Sequence, residues 1–323
     1  KQEASEIPDK NSYVMRNCYI NELGHYCKRP GLTIFATITG SKPIDGMFET
    51  YDGVFIVATN GKLYNVSSAG VATEITGSGF TAGNQVRWCQ DKTYVYAFNG
   101  SYITKIDVTA GTYTLMASGP TSVNSGCYIQ NYLLCDGIAA GGGVEGDVNY
   151  LELDGTTWSV YNQEAYPGPI LSLQARNQEV VGFEDRSIEA SWNDGSTPWA
   201  LVPSSVQQIG TLNGNTVVWI SGSFVFASSV DGSRKILKMD GNNYKIVSDP
   251  IQNVLDTAVS VDTDMFAWSI SCNGFPMYVI RINEGTGYST WVYDLVLDTW
   301  YKWTYYNGAA EDYWLINSSC YWQ

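Results

Sequence analysis

Along this chain, short apolar runs come in pairs joined at Asn-Gly or Asp-Gly. Phe55-Ile56-Val57-Ala58-Thr59 is separated from Leu63-Tyr64 by Asn60-Gly61. A two-residue type I′ turn needs φ > 0 at both central positions, which Asn and Gly tolerate, so this stretch predicts a hairpin. The pattern recurs. Val95-Tyr96-Ala97-Phe98 meets Tyr102-Ile103 through Asn99-Gly100, and Leu133-Leu134-Cys135 meets Ile138 through Asp136-Gly137. Val180 to Phe183 turns at Glu184-Asp185 towards Ser187-Ile188, and Phe224-Val225-Phe226 leads to Asp231-Gly232 and Ile236-Leu237. Ser269 to Cys272 turns at Asn273-Gly274 into Met277 to Ile280, and Tyr313 to Ile316 turns at Asn317-Ser318 towards Tyr321-Trp322.

These turns begin at 60, 99, 136, 184, 231, 273 and 317, a mean spacing of about 43 residues. Four-stranded propeller blades repeat at about 40–50 residues. Each repeat also carries an upstream strand and a fourth strand. Gly46–Thr50 and Val71–Ile75 flank the first hairpin, Val86–Cys89 and Tyr113–Met116 the second, and Cys127–Ile129 and Trp158–Tyr161 the third. Leu171–Gln174 and Trp199–Val202 flank the fourth, and Met265–Trp268 and Thr299–Trp303 the sixth. In the fifth, Thr216 to Ile220 fits either the first or the second strand, with Asn213-Gly214 and Gly222-Ser223 as competing turns. The expectation is an all-β, seven-bladed β-propeller with four antiparallel strands per blade.

The seventh repeat lacks a fourth strand, while Leu32 to Ile38 reads as a spare β-branched strand ahead of the first. A propeller removes its sheet edges by closing. The expectation is therefore six full blades plus a seventh completed by Leu32–Ile38; residues beyond 323 are the alternative source. Residues 1–28 are polar and read as an N-terminal arm, with short strands at Tyr13-Val14-Met15 and Cys18-Tyr19-Ile20. Residues 29–323 read as one propeller domain. Asp249 to Leu255 predicts a single helical turn.

Composition sharpens this picture. Only 15% of residues are charged, against about 25% in ordinary domains, while 14% are aromatic and 32 are Gly. That mixture suits strands and turns rather than long helices or disorder. The net charge of −14 argues against a grip on nucleic acid through phosphate neutralisation. It is compatible with passive contact, in which an acidic wall repels DNA and prevents sticking. No apolar run approaches the length of a membrane span, and no signal peptide is visible. The seven Cys lack zinc spacing and read as mostly reduced thiols, with a Cys18–Cys27 bridge left open.

Candidate chemistry is sparse. The single histidine, His25, has no nucleophile elbow near it, so it reads as a surface residue. The carboxylates of Glu184-Asp185, of Asp262 with Asp264, and of Glu311-Asp312 are adjacent in sequence. Neighbours in a strand point to opposite faces, so these pairs do not make a glycosidase site by themselves. Asp147, Asp154 and Gly155 do not match an EF-hand loop. Trp199, Trp300 and Trp303 fit packing between blades better than sugar stacking. The expectation is no catalytic residue, no metal ligand and no cofactor, with binding residues unassigned. A carbohydrate-active or carbohydrate-binding propeller is the alternative.

Several motifs also carry a family resemblance. Asn17-Cys18-Tyr19-Ile20, Arg29-Pro30-Gly31-Leu32 and Ile44-Asp45-Gly46-Met47 are followed by Gly53 to Val57 and by Gly61-Lys62-Leu63-Tyr64-Asn65-Val66. Val217 to Ile220, Lys238-Met239-Asp240-Gly241 and Lys245 to Ser248 follow, then Trp291-Val292-Tyr293-Asp294 and Thr299 to Trp303. This order resembles the packaged-DNA stabilisation proteins of short-tailed bacteriophages, also called tail accessory factors, tail hubs or nozzle components. The resemblance implies a non-enzymatic virion protein of the tail, assembled in the host cytoplasm. It implies a hexameric ring below the portal and adaptor that extends the DNA channel and retains packaged DNA. The implied partners are further copies of the chain, the portal or adaptor and other tail proteins, with passive DNA contact and no membrane.

Overall fold

The computed structural model describes residues 15–38, 40, 43–82, 84–139, 146–153, 155–163, 166, 168–195, 199–306, 311–314, 316 and 318–320. The expected arm over residues 1–14, Asp154, and the Asn317 and Tyr321-Trp322 parts of the seventh repeat lie outside the described residues. The chain divides into two compact units.

One unit spans Thr216–Ile316 together with the N-terminal segment up to Leu32. That segment supplies β1 (Met15–Arg16), β2 (Cys18–Ile20) and β3 (Tyr26–Lys28). The other unit, Thr33–Asn215 with the C-terminal residues from Asn317, holds four blades. Blade 1 is β4 (Ile44–Glu49), β5 (Phe55–Thr59), β6 (Lys62–Val66) and β7 (Ala72–Ile75). Blade 2 is β8 (Arg87–Gln90), β9 (Val95–Phe98), β10 (Thr104–Asp107) and β11 (Thr112–Leu115). Blade 3 is β12 (Gly126–Ile129), β13 (Tyr132–Cys135), β14 (Asp147–Leu151) and β15 (Trp158–Asn162). Blade 4 is β16 (Ile170–Arg176), β17 (Glu179–Glu184), β18 (Ile188–Trp192) and β19 (Ala200–Leu201).

Blade 5, in the first unit, is β20 (Val218–Ile220), β21 (Ser223–Val230), β22 (Ser233–Asp240) and β23 (Asn243–Ile246). A short helix, α1 (Gln252–Thr257), follows where the helical turn is expected. Blade 6 is β24 (Phe266–Cys272), β25 (Phe275–Asn283), β26 (Tyr288–Asp294) and β27 (Thr299–Tyr306), and β28 (Glu311–Tyr313) pairs with β27. Every blade is an antiparallel meander in chain order. The fifth-blade ambiguity resolves with Val218–Ile220 as the first strand and Ser221-Gly222 as its turn, both at positive φ.

Among the described residues, the architecture is an all-β β-propeller with six blades, not the expected seven. Asn273-Gly274 does not enter that difference, since the turns at 60, 99, 136, 184, 231 and 273 fall one in each of the six blades. It forms the predicted turn, with φ of 49° and 85°, but it joins the first two strands of blade 6. The hairpin joining that blade's second and third strands turns at Glu284–Gly287 instead. The extra blade comes from the seventh repeat alone, where Glu311–Tyr313 extends the sixth sheet rather than opening a seventh. Nor is Leu32–Ile38 a strand: it has no ladder pairing, and Leu32, Ile34 and Phe35 are exposed. The N-terminal contribution comes from β1, which pairs in parallel with β27.

The core follows the blades. In the second unit, Ile56, Leu63, Val95, Ile106 and Tyr113 pack the first two blades together, while Leu134, Tyr150, Leu173 and Trp199 do so for the third and fourth. In the first unit, Tyr19 from β2 enters a cluster with Trp268, Trp303 and Trp314. All seven cysteines are free. Across β2 and β3, Cys18 faces Lys28 and Cys27 faces Tyr19, so the Cys18–Cys27 bridge is not formed. Among the described residues, no helix is long and apolar enough to cross a membrane.

Candidate functional site

Polar groups concentrate where the first strands of blades 2, 3 and 4 lie side by side. Arg87 on β8 donates from Nη1 to Ser172 Oγ on β16 at 2.6 Å. Its Nη2 donates to Gly214 O and reaches Asn215 Oδ1 at 3.4 Å. Burial lowers the Arg87 pKa to about 10, and nearby Asp136 opposes that shift, so the guanidinium stays charged at neutral pH. Asp136 follows β13. Its Oδ1 accepts from the backbone N–H groups of Asn124 and Ser125 at 2.8 and 3.0 Å. Its Oδ2 accepts from Ser125 Oγ at 2.9 Å. Burial still pushes its pKa up to about 6 against these bonds and Arg87.

Ser125 Oγ also accepts from the Leu173 N–H on β16 at 2.7 Å. Its hydroxyl proton goes to a carboxylate and its lone pair to a backbone donor. It is therefore a joint between strands, not an activated nucleophile. The hub satisfies buried polar groups across three blades, which gives the unit rigidity rather than reactivity.

A second feature sits at one end of blade 1. The β4–β5 and β6–β7 turns emerge at the same end of an antiparallel meander. Tyr51, in the first turn, is 81% exposed, and Val71, beside the second, is also exposed. The segment before β4 adds Ile34, 85% exposed, and Phe35. Phe35 O lies against Gly70, which has φ +77° and where a Cβ would collide with that oxygen. Exposed apolar and aromatic side chains gathered this way are interface chemistry.

Among the described residues, those weighed from sequence do not come together as a reaction centre. His25 is exposed in the turn between β2 and β3, its backbone N–H bound to Asn21 Oδ1. Glu184 is fully buried while Asp185 is exposed. Burial pushes Glu184 up to about 7; the Ser187 hydroxyl opposes this, and Glu189 and Asp185 reinforce it. Asp264 is engaged by Arg281, Asn283 and Tyr288, whereas Asp262 is exposed. Glu311 pairs with Arg16 at 3.0 Å and accepts from Thr304 Oγ1, while Asp312 lies opposite Tyr305 in the β27–β28 pair.

Asp147 accepts from Asn162 Nδ2, and Gly155 lies in an open turn. Among the described residues, no group of three or more His, Cys, Asp or Glu converges to hold a metal. Trp199 stacks on Tyr161, Trp300 donates to Val247 O, and Trp303 meets Trp314 edge-on. All three tryptophans are buried, as core packing requires and sugar stacking does not. Sequence reasoning missed Arg87. Its only signal was a cation inside the apolar run Val86-Arg87-Trp88-Cys89.

Comparison with known proteins meets this architecture directly. A family profile described as bacteriophage P22 Gp10, β-propeller, matches residues 5–315. The chain belongs to the phage stabilisation family. Membership makes it a phage structural protein of the β-propeller, DNA-stabilisation type, as the sequence motifs imply. No curated protein matches the chain. Among solved structures, the extracellular domain of BT4673 of B. thetaiotaomicron, described as part of a two-component system, is similar with a TM-score of 0.53 and 10% identity. That similarity covers 87% of this chain but 34% of the other, so the chain spans about a third of that protein's length. The computationally designed Ika8 protein is similar with a TM-score of 0.50 and 9% identity, covering 86% of this chain and 94% of that one. Both likenesses concern the fold alone.

Proposed function

We propose that this chain is a structural, non-catalytic component of a phage tail. In this reading it forms part of the ring or nozzle below the portal and adaptor, extends the DNA channel and retains packaged DNA. The observation that carries the reading is the family match over residues 5–315.

The physical features agree with that role. Pairing in blades and the Arg87 hub make a stiff unit, and its hub serine is occupied in bonding. Ile34, Phe35, Tyr51 and Val71 supply an apolar surface for a neighbouring protein. The net charge of −14 favours passage of DNA past the protein over adhesion to it. The partners are further copies of the chain, in a ring of six, and the portal or adaptor. Reconstitution of the chain with purified portal–adaptor complexes, imaged by cryo-electron microscopy, tests this. The expected result is added density on the portal axis containing six copies. Failure to bind any portal–adaptor complex would refute the reading.

A further inference from the structure

Blade 4 contains a buried set of oxygen donors that the Arg87 hub does not use. Gly182 on β17 is paired directly with Glu189 on β18. Glu184 lies two residues further along β17. Side chains alternate along a strand and paired residues share a face, so Glu184, Glu189 and the vacant side of Gly182 look the same way. The carboxamide of Gln163, from the segment leaving blade 3, fills that vacancy. A Cβ on residue 182 would collide with Gln163 Oε1.

These side chains are almost wholly removed from solvent. Glu184 is 0% exposed, Gln163 1% and Glu189 4%. One Glu184 oxygen accepts from Ser187 Oγ. The other, Oε1, has no hydrogen-bond partner, and neither has Gln163 Oε1 or Nε2. Buried polar atoms are nearly always satisfied, and exceptions often mark an ion or water. Here two buried acceptor oxygens lack a donor, and Glu189 supplies a second buried carboxylate on the same face.

We propose that Glu184, Glu189 and Gln163 form a buried binding site for one divalent hard cation, with Ca²⁺ preferred. All the donors are oxygens, with neither imidazole nor thiolate among them, which selects Ca²⁺ or Mg²⁺ over transition metals. Ca²⁺ accepts six to eight oxygens in irregular geometry, including bidentate carboxylates and amide carbonyls. Mg²⁺ demands an octahedron and retains its waters, which a buried site accommodates poorly. A proton would satisfy one carboxylate oxygen, whereas a cation engages both carboxylates and the amide. The third donor is an amide oxygen, so the site is consistent with the absence of three convergent acidic, His or Cys groups among the described residues. Occupied, it would fasten β17 and β18 to the segment entering blade 4, independently of any tail partner.

The test uses the full chain, stripped with EGTA, dialysed and shown to be folded by circular dichroism. Isothermal titration with CaCl₂ is expected to give one equivalent per chain, and Ca²⁺ is expected to raise the thermal midpoint by several degrees. Glu184→Gln removes a charge, and Gly182→Ala displaces the Gln163 amide. Each is expected to weaken Ca²⁺ binding by about tenfold or more, while Glu74→Gln, at an exposed pair with Lys62, leaves it unchanged. If the site variants fail to fold, the wild-type titration decides alone. No heat and no midpoint shift in the folded, stripped wild type at millimolar Ca²⁺ would overturn the proposal. So would equal binding by folded Glu184→Gln and wild type.

Discussion

Arg87 Nη1 donates to Ser172 Oγ at 2.6 Å, tying the first strand of blade 2 to that of blade 4. The same guanidinium bonds Gly214 O beyond blade 4. One side chain thereby satisfies acceptors from segments 85 and 127 residues away.

Removing it strands those acceptors. Arg87→Ala is expected to cost about 1–3 kcal/mol, the usual penalty for leaving a buried polar group unpaired. Arg87→Lys should recover only part of this, because an ammonium cannot reproduce the planar fork. Chemical denaturation of the three proteins measures both effects.

Close packing around Gly214 gives a separate prediction. A Cβ there would collide with Leu171 O, whereas one at Gly287 meets nothing within 4 Å. Gly214→Ala is expected to destabilise the protein by about 1–3 kcal/mol through overpacking. Gly287→Ala should be close to neutral. Thermal midpoints of the two variants provide the comparison.

Tyr19 anchors the N-terminal hairpin in the aromatic cluster of blade 6. Its hydroxyl accepts from Asn273 Nδ2. Tyr19→Ala should cost about 3–5 kcal/mol, as other large-to-small core changes do, and should expose residues 15–29 to proteolysis. Tyr19→Phe keeps the ring and should lose only about 1 kcal/mol. Limited proteolysis followed by mass spectrometry separates loss of the clasp from global unfolding.

Asp136 sets a pH dependence of definite sign. Its ordinary value of 3.8 rises to about 6 in the folded protein. Between those values the folded state retains a proton that the unfolded state has released, so stability falls as pH rises. This contribution is fully present below about pH 4 and is lost as pH passes through about 6. Calorimetry in EGTA should therefore show a smaller decline across this window in Asp136→Asn than in wild type. An equal or steeper decline in the variant would contradict the assignment.

The sequence made the blades legible because their information is local. Asn60-Gly61 adopts φ of 52° and 72°, as a type I′ hairpin demands. The same chemistry at Asn273-Gly274 misled the strand assignment within blade 6, because a turn dipeptide specifies a bend without specifying which two strands of a blade it joins. Asn99 shows another limit. It sits at a predicted turn but is absent from the positive-φ residues, and its side chain instead donates to Thr81. The hub, and the grouping of Glu184 with Gln163, were invisible for a different reason. Arg87 and Ser172, or Gln163 and Glu184, acquire a relationship only when separate blades are stacked. Their sequence spacing follows no motif.

As one stone of a tail ring, the role proposed above, the chain has to dock on a portal–adaptor complex in a fixed number of copies. Cryo-electron microscopy of the chain bound to a purified portal–adaptor complex counts those copies. Six copies around the DNA path are expected, with the propellers contacting one another. A protein that never associates with portal–adaptor complexes under assembly conditions would contradict that role.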